Sequence, residues 1–218
     1  ERRAALAAVA AAGLDHVGVG DQVSFITGVG FDGLIQAAQL LTLHDTLKVY
    51  VAVYLIPLRH PTIMARQLQS VAAPAPGRLV LGVGVGGEDP HELEVCGVDP
   101  RTRGRRANEA LAIVRELMTG EPVDFRGEFF SLERAVIRPA VEPRVPIVVG
   151  GRSSAAMRRA ARLGDGYIGI WISAKRFSSV VAEIAREAAS LGRTDVDWQH
   201  AMFVWCGMDE TREAARQV

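Results

Sequence analysis

The sequence predicts an α/β fold built on a parallel sheet, and two observations carry that prediction. Six short apolar runs rich in Val and Ile alternate with longer stretches of helical period. The richest run, residues 48–56 (KVYVAVYLI), is apolar at consecutive positions rather than at every second one. A strand buried on both faces reads that way, because helices cover a parallel sheet on its faces.

Taken in order, His16-Val17-Gly18-Val19-Gly20 is the first run and stops at Asp21. Leu34, Ala37, Ala38 and Leu41 then recur on one helical face, with Asp32 placed as an N-cap. Run 48–56 follows, and Pro61 stands where a first helical turn tolerates proline, ahead of Ile63, Gln67, Leu68 and Val71. Run 78–85 precedes the stripe Ala107, Ala110, Leu111, Val114, Leu117, Met118, which Gly120 closes. Segment 121–144 breaks the rhythm: Arg126-Gly127-Glu128 between apolar runs, then two prolines, predicts a hairpin insertion. Run 146–149 leads to a helix capped by Ser153 or Ser154 and ended by Gly164. Run 166–171 leads to a helix over Phe177, Val180, Val181, Ile184, Ala188 and Leu191; run 201–206 is the last. Strands joined through helices run parallel, but the rhythm alone permits an open doubly wound sheet or a closed (β/α)8 barrel.

Length and charge narrow the function. A chain of 218 residues suits a single domain, read here as 1–218 with the 121–144 insertion. Lys and Arg together number 25, as do Asp and Glu, so the basic excess of a nucleic-acid binder is missing. The cluster Arg101, Arg103, Arg105, Arg106 reads as a solvated helix start. No apolar run reaches membrane-span length, and a cytoplasmic setting is expected. Cys96 and Cys206 fit neither a disulfide framework nor a zinc pattern, and both are expected to be packing residues. His16, His44, His60, His91 and His200 lack metal-ligand spacing, so no metal is expected.

In parallel α/β folds ligands gather at the carboxyl ends of strands. At the first end, Asp21 is either an acceptor for a ligand or a turn residue, and Gln22 follows it. At the second, His60 precedes Pro61 and reads as a helix cap rather than a proton carrier. The glycines of Gly82-Val83-Gly84-Val85-Gly86-Gly87 admit a flat ring or a phosphate close to the backbone. A dinucleotide fingerprint is set aside there, because Glu88-Asp89-Pro90 follows instead of a helix start, and carboxylates repel a pyrophosphate. The fourth end, Gly150-Gly151-Arg152-Ser153-Ser154, joins glycines, a cation and hydroxyls to a helix N-terminus. It is the best candidate phosphate site in the chain, the alternative being an ordinary glycine turn with a serine cap.

Four blocks, GLDHVGVGD, RHPTIMARQLQSVAAPAPGRLVLGVGVG, RANEALAIVRELMTGEPVDFRGEFF and VPIVVGGRSS…AARLGDGYIG, together resemble the luciferase-like monooxygenase superfamily in order and content. The resemblance implies a (β/α)8 barrel that, in this chain, lacks its first and last strands. It implies an oxidoreductase that uses a deazaflavin (coenzyme F-420, slightly preferred) or FMN to transfer a hydride or activate oxygen on a small organic substrate. Asp21 would contact the cofactor and, with Gln22, stand at the catalytic position. Ala52-Val53 falls where the family often has a non-proline cis peptide backing the ring. Leu55, Val85 and Gly86 would line the ring and tail, and Gly150, Gly151, Ser153 and Ser154 would hold the phosphate.

Departures from the family pattern matter. Gln22 replaces a frequent His and cannot exchange a proton near neutral pH. Gly87 stands where some deazaflavin dehydrogenases carry a Glu, which disfavours sugar-phosphate dehydrogenation of that type. A non-catalytic barrel subunit pairing with an active partner is therefore the alternative. The expected partners are a small-molecule substrate, a flavin or deazaflavin reductase, and a second copy in a homodimer; neither nucleic acid nor membrane is expected. A barrel open at the missing strands would expose unpaired edges.

Overall fold

The computed structural model describes residues 1–206 and 211–213. In chain order the elements are α1 (Arg2–Ala11), β1 (His16–Val19), α2 (Gly33–Leu43), β2 (Lys48–Leu55), α3 (Pro61–Ala72) and β3 (Leu79–Gly84). They continue as α4 (Pro90–Glu94), α5 (Arg103–Leu117), β4 (Val123–Arg126), β5 (Ser131–Ala135) and β6 (Ile147–Gly150). The last are α6 (Ser154–Leu163), β7 (Gly166–Ile170), α7 (Ala174–Ser190) and β8 (Ala201–Phe203). The six strands expected from apolar runs all form. The last is cut short, since β8 stops at Phe203 while Val204, Trp205 and Cys206 are exposed. Cys206 is thus not a packing residue, and Cys96 is only half-buried. The helix stub expected near 211–217 lies largely outside the described residues.

Strand order resolves the ambiguity that the rhythm left. The sheet runs β1-β2-β3-β6-β7-β8 with every pair parallel. That order advances without the reversal a doubly wound sheet requires. Right-handed crossovers then place all helices on one face, as in a (β/α)8 barrel. The described strands form an open sheet with β1 and β8 at its edges, so the closed barrel is not shown.

The two faces pack differently. On the helix-covered face, Val49, Val51, Leu79, Leu81, Val83, Ile147, Val149 and Tyr167 join Leu34, Met64, Leu68, Leu111, Met157 and Ile184 in the main core. Each such side chain contributes about 1.5–3 kcal/mol when fully buried. The other face carries a small cluster, Val80, Val148 and Ile168, with Tyr50, Ala52, Val53 and Ala201 against it. β2 is therefore buried on its helix-covered side and half-buried on the other, where its continuous apolar run predicts burial on both.

Local chemistry explains the boundaries. Asp32 accepts from the Leu34 and Ile35 amides to start α2, and Ser153 and Ser173 cap α6 and α7 in the same manner. The 121–144 insertion is the antiparallel hairpin β4–β5, turning through Gly127. Its turn is held by Glu109 of α5, which accepts from the amides of Glu128, Phe129 and Phe130. At the amino end of the sheet Asp165, 4% exposed, accepts from Arg115, Arg144 and the Ile147 amide.

Candidate active site

The carboxyl end of the sheet is shaped first by a bulge in β2. Pairing of β2 with β3 slips between Val51 and Tyr54, so that Ala52 and Val53 together oppose Gly82. The Ala52–Val53 peptide is cis. Before the slip, alternate residues Tyr50 and Ala52 face the small cluster; after it, Val53 faces the same way and Tyr54 turns into the main core. Glycines on the neighbouring strands make room for this. A Cβ on Gly84 would come 2.5 Å from Val53 Cγ2, one on Gly150 3.0 Å from Val53 Cγ1, and one on Gly82 3.3 Å from that same atom. Three glycines on β3 and β6 thus leave the space in which Val53 sits, and Ala52-Val53 becomes a small apolar shelf below the mouth.

Around the shelf, Asp21 does not take the place expected of it. It is 3% exposed, and both carboxylate oxygens are occupied by the protein. Oδ1 accepts from the Gly33 amide (2.9 Å) and Arg59 Nη2 (2.8 Å); Oδ2 accepts from the Leu55 amide (2.8 Å) and Arg59 Nη1 (2.5 Å). Arg59 also donates to Asp32 at 3.0 Å and lies 4.1 Å from the Tyr54 ring centroid. Burial works against the guanidinium charge, but the Asp21 hydrogen bonds and the carboxylates outweigh it and hold Arg59 above its ordinary pKa. Asp21, expected at the cofactor and the catalytic position, is thus engaged by four protein donors in this structure. A bidentate buried pair ties β1, α2 and the end of β2 together. Spacing along the chain gave no sign that Arg59 would be its partner.

Gln22, the next residue, packs against Gly30 of the loop that follows, and its Oε1 is shut off from water with no partner among the described residues. The loop beyond it is anchored by Glu92 of α4, which accepts from the Val23 (2.7 Å) and Ser24 (3.2 Å) amides. Sequence reading missed both α4 and the role of Glu92, although Asp89-Pro90 is a recognisable helix start. His60 caps α3 by accepting from the Thr62 amide, as its place before Pro61 predicts.

The remaining expected residues lie at the ends of β2, β3 and β6. Leu55 ends β2, and Val85 and Gly86 follow β3; a Cβ on Gly86 would come 3.7 Å from Leu55 Cδ2. Gly150 ends β6, Gly151 has φ +133°, and Ser153 opens α6 with its Oγ accepting from the Ala156 amide. That cap leaves the Ser154 and Ala155 amides with no intrahelical acceptor, pointing outward with the positive end of the helix dipole. Arg152 is exposed beside them, 5.5 Å from the Trp171 ring centroid at the end of β7. Trp171 itself is 56% exposed with φ +53°, while Tyr167 is buried against Phe177.

These features define a class of protein: a parallel α/β sheet of barrel order, with an apolar shelf and a glycine turn that opens a helix at its carboxyl end. The profile of the luciferase-like monooxygenase family matches residues 2–218, and the chain belongs to that family. An uncharacterised protein of Mycobacterium tuberculosis is 34% identical over 171 residues, 78% of this chain and 59% of its own length. An F-420-dependent glucose-6-phosphate dehydrogenase of Nakamurella multipartita is 37% identical over 111 residues, 50% of this chain and 32% of its own length. The chain thus spans about three fifths or less of these curated relatives. Among solved structures, a monooxygenase from Streptomyces bottropensis superposes with TM-score 0.85 at 22% identity, over 99% of this chain and 68% of that one. An F-420-dependent secondary alcohol dehydrogenase superposes with TM-score 0.78 at 23% identity, over 94% and 62%. Among the described residues no helix is long and apolar enough to cross a membrane, and no group of His, Cys, Asp or Glu is arranged to hold a metal.

Proposed function

We propose that the chain is the cofactor-binding sheet of an oxidoreductase that uses coenzyme F-420 or FMN on a small organic substrate. The observation that carries this reading is the Ala52-Val53 shelf in the space left by Gly82, Gly84 and Gly150. A flat ring needs such a shelf, and nothing in the main core requires one. The α6 N-terminus adds a phosphate site, and the unpartnered Gln22 Oε1 would offer an acceptor to a ring N–H on turning outward.

The bound ring would supply the hydride or oxygen chemistry. The residues of this chain would hold it: the Ala52-Val53 shelf against the ring, Gln22 as an acceptor and the Gly151–Ser154 turn at the phosphate. Asp21 and Arg59 keep the mouth in shape from behind. The slight preference for the deazaflavin rests on the GVGGEDPHE block and the GGRSS turn, and on a relative named for that coenzyme. Gly87 disfavours sugar-phosphate dehydrogenation.

Fluorescence titration with FMN, riboflavin and F-420 tests the reading. Saturable binding of one ring supports it; no binding of any overturns it. Ser154→Glu sharpens the test. A carboxylate in the first turn favours the helix dipole, so stability is expected to hold or rise by about 0.3–1 kcal/mol. FMN affinity is expected to fall about tenfold while riboflavin affinity stays, because the anion site is then filled by the protein itself.

A second reading has its own observation. Asp21 is saturated by protein donors and Gln22 stands in place of a histidine, so neither residue can carry a proton. That suits a non-catalytic subunit paired with an active partner. Ring binding without turnover of any substrate in a reductase-coupled assay favours it.

A further inference from the structure

Four arginines crowd the start of α5, and three of them have clear partners. Arg101 pairs with Asp99 at 2.9 Å, and Arg105 with Glu128 at 2.9 Å. Arg106 donates to the Pro57 carbonyl and lies over the Phe130 ring at 4.7 Å. Arg103 has neither an ion pair nor an aromatic ring over it among the described residues. Its Nη1 donates to the Pro100 carbonyl at 2.6 Å, which fixes the plane of the guanidinium. It has no carboxylate within ion-pair distance among the described residues, although it is half-buried. The rest of its fork lies flat against Gly87, just past the carboxyl end of β3. A Cβ built there would stand 3.0 Å from Nε and 3.2 Å from both Cζ and Nη2. Gly87 has φ +120°, a conformation side chains rarely adopt, so backbone and space both call for glycine.

We infer that Arg103, held against Gly87, is an anion-binding residue at the mouth, its Nε and Nη2 donors presented to a carboxylate or phosphate. A planar fork with two donors on one edge matches such a group bidentately. A half-buried guanidinium without a counter-charge is the feature an incoming anion completes. The anion has two sources, the cofactor's own phosphate or an acidic group on the substrate. Arg159 of α6, the helix that opens at the Gly151–Ser154 turn, donates to the Gly104 carbonyl, so the start of α5 packs on that helix. The inference rests on the cofactor reading only for which end of the sheet is the mouth.

The test uses the full 218-residue chain. The Arg103 Nε–H signal is assigned in an NMR spectrum by its loss in Arg103→Lys, then followed during titration with inorganic phosphate and with benzoate. Saturable shifts are expected, screened by added salt. In parallel, FMN and riboflavin affinities are measured for the wild type, Arg103→Gln and Gly87→Ala, the last displacing the fork while keeping its charge. If Arg103→Gln weakens FMN about tenfold and leaves riboflavin unchanged, the site serves the cofactor phosphate. If FMN affinity is unchanged and benzoate still shifts the Arg103 signal in flavin-saturated protein, the site serves an acidic substrate. If neither anion moves the signal and both flavins bind the variants as they bind the wild type, the inference is overturned and the cofactor reading stands. Should the wild type bind neither a flavin nor F-420, the cofactor reading fails, and the phosphate titration still decides Arg103.

Discussion

At the scale of single residues, the mouth is built by groups that point away from it. Asp21 and Arg59 form a buried pair, and removing one member leaves the other charge without compensation. Asp21→Ala is expected to cost about 3–5 kcal/mol in urea denaturation, far more than a surface pair would. Loss of under about 1 kcal/mol would show that the pair does not hold the strand ends. Gly150→Ala tests the shelf. Its new Cβ would lie 3.0 Å from Val53 Cγ1 and 3.3 Å from Ile168 Cγ2, so either the shelf shifts or the side chains turn. A cost of about 1–3 kcal/mol together with weaker ring binding is expected. The sequence marked Asp21 and Gly150 because both end strands. It did not show that Asp21 faces inward, since that depends on Arg59, 38 residues further on.

At the scale of elements, the edge pairing of β7 with β8 depends on one neutral histidine. His200 Nδ1 accepts from the Tyr167 amide at 3.1 Å, and its ring stacks on Trp198. Burial lowers its pKa below the ordinary histidine value. The unfolded chain therefore binds the proton first, at about pH 6.5. The stability this arrangement contributes is present above that pH and is lost as pH falls through the lower folded value. Tm is expected to drop as pH falls below about 6.5, and His200→Gln is expected to flatten that drop. An identical pH profile in the variant would assign the slope to other groups. Helices α2, α3, α5, α6 and α7 were legible from periodicity and caps. α4 was not, because its single turn of five residues is too short to show a period.

At the scale of the whole molecule, the two ends of the sheet divide the work. The amino end holds Asp165 among Arg115, Arg144 and the Ile147 amide. The carboxyl end holds the shelf, Gln22 and the α6 turn. Asp165→Ala is expected to lower global stability by about 3 kcal/mol with flavin affinity unchanged in the folded fraction. Coupled loss of both, measured below the unfolding transition, would refute the division. Among the described residues β1 and β8 each pair on one side only, and an unpaired edge is a site for association. Self-association of the isolated chain in light scattering is expected, and a monomer at every concentration would count against it.

The sequence by itself determined the number of sheet strands, their parallel sense, the hairpin insertion and the glycine turn before α6. These follow from local patterns: apolar run length, caps and turn residues act within a few positions. Tertiary structure alone decided that the sheet has barrel order rather than a reversal. It alone showed that Asp21 is turned inward onto Arg59, and that Val53 fills space left by glycines on two other strands. It alone left Arg103 without the ion pair that Arg101 and Arg105 have. The physical reason is the same in each case. Hydrogen bonds and side-chain packing join residues far apart in the chain, so which groups are satisfied, and which remain for a ligand, is settled only when the strands lie side by side.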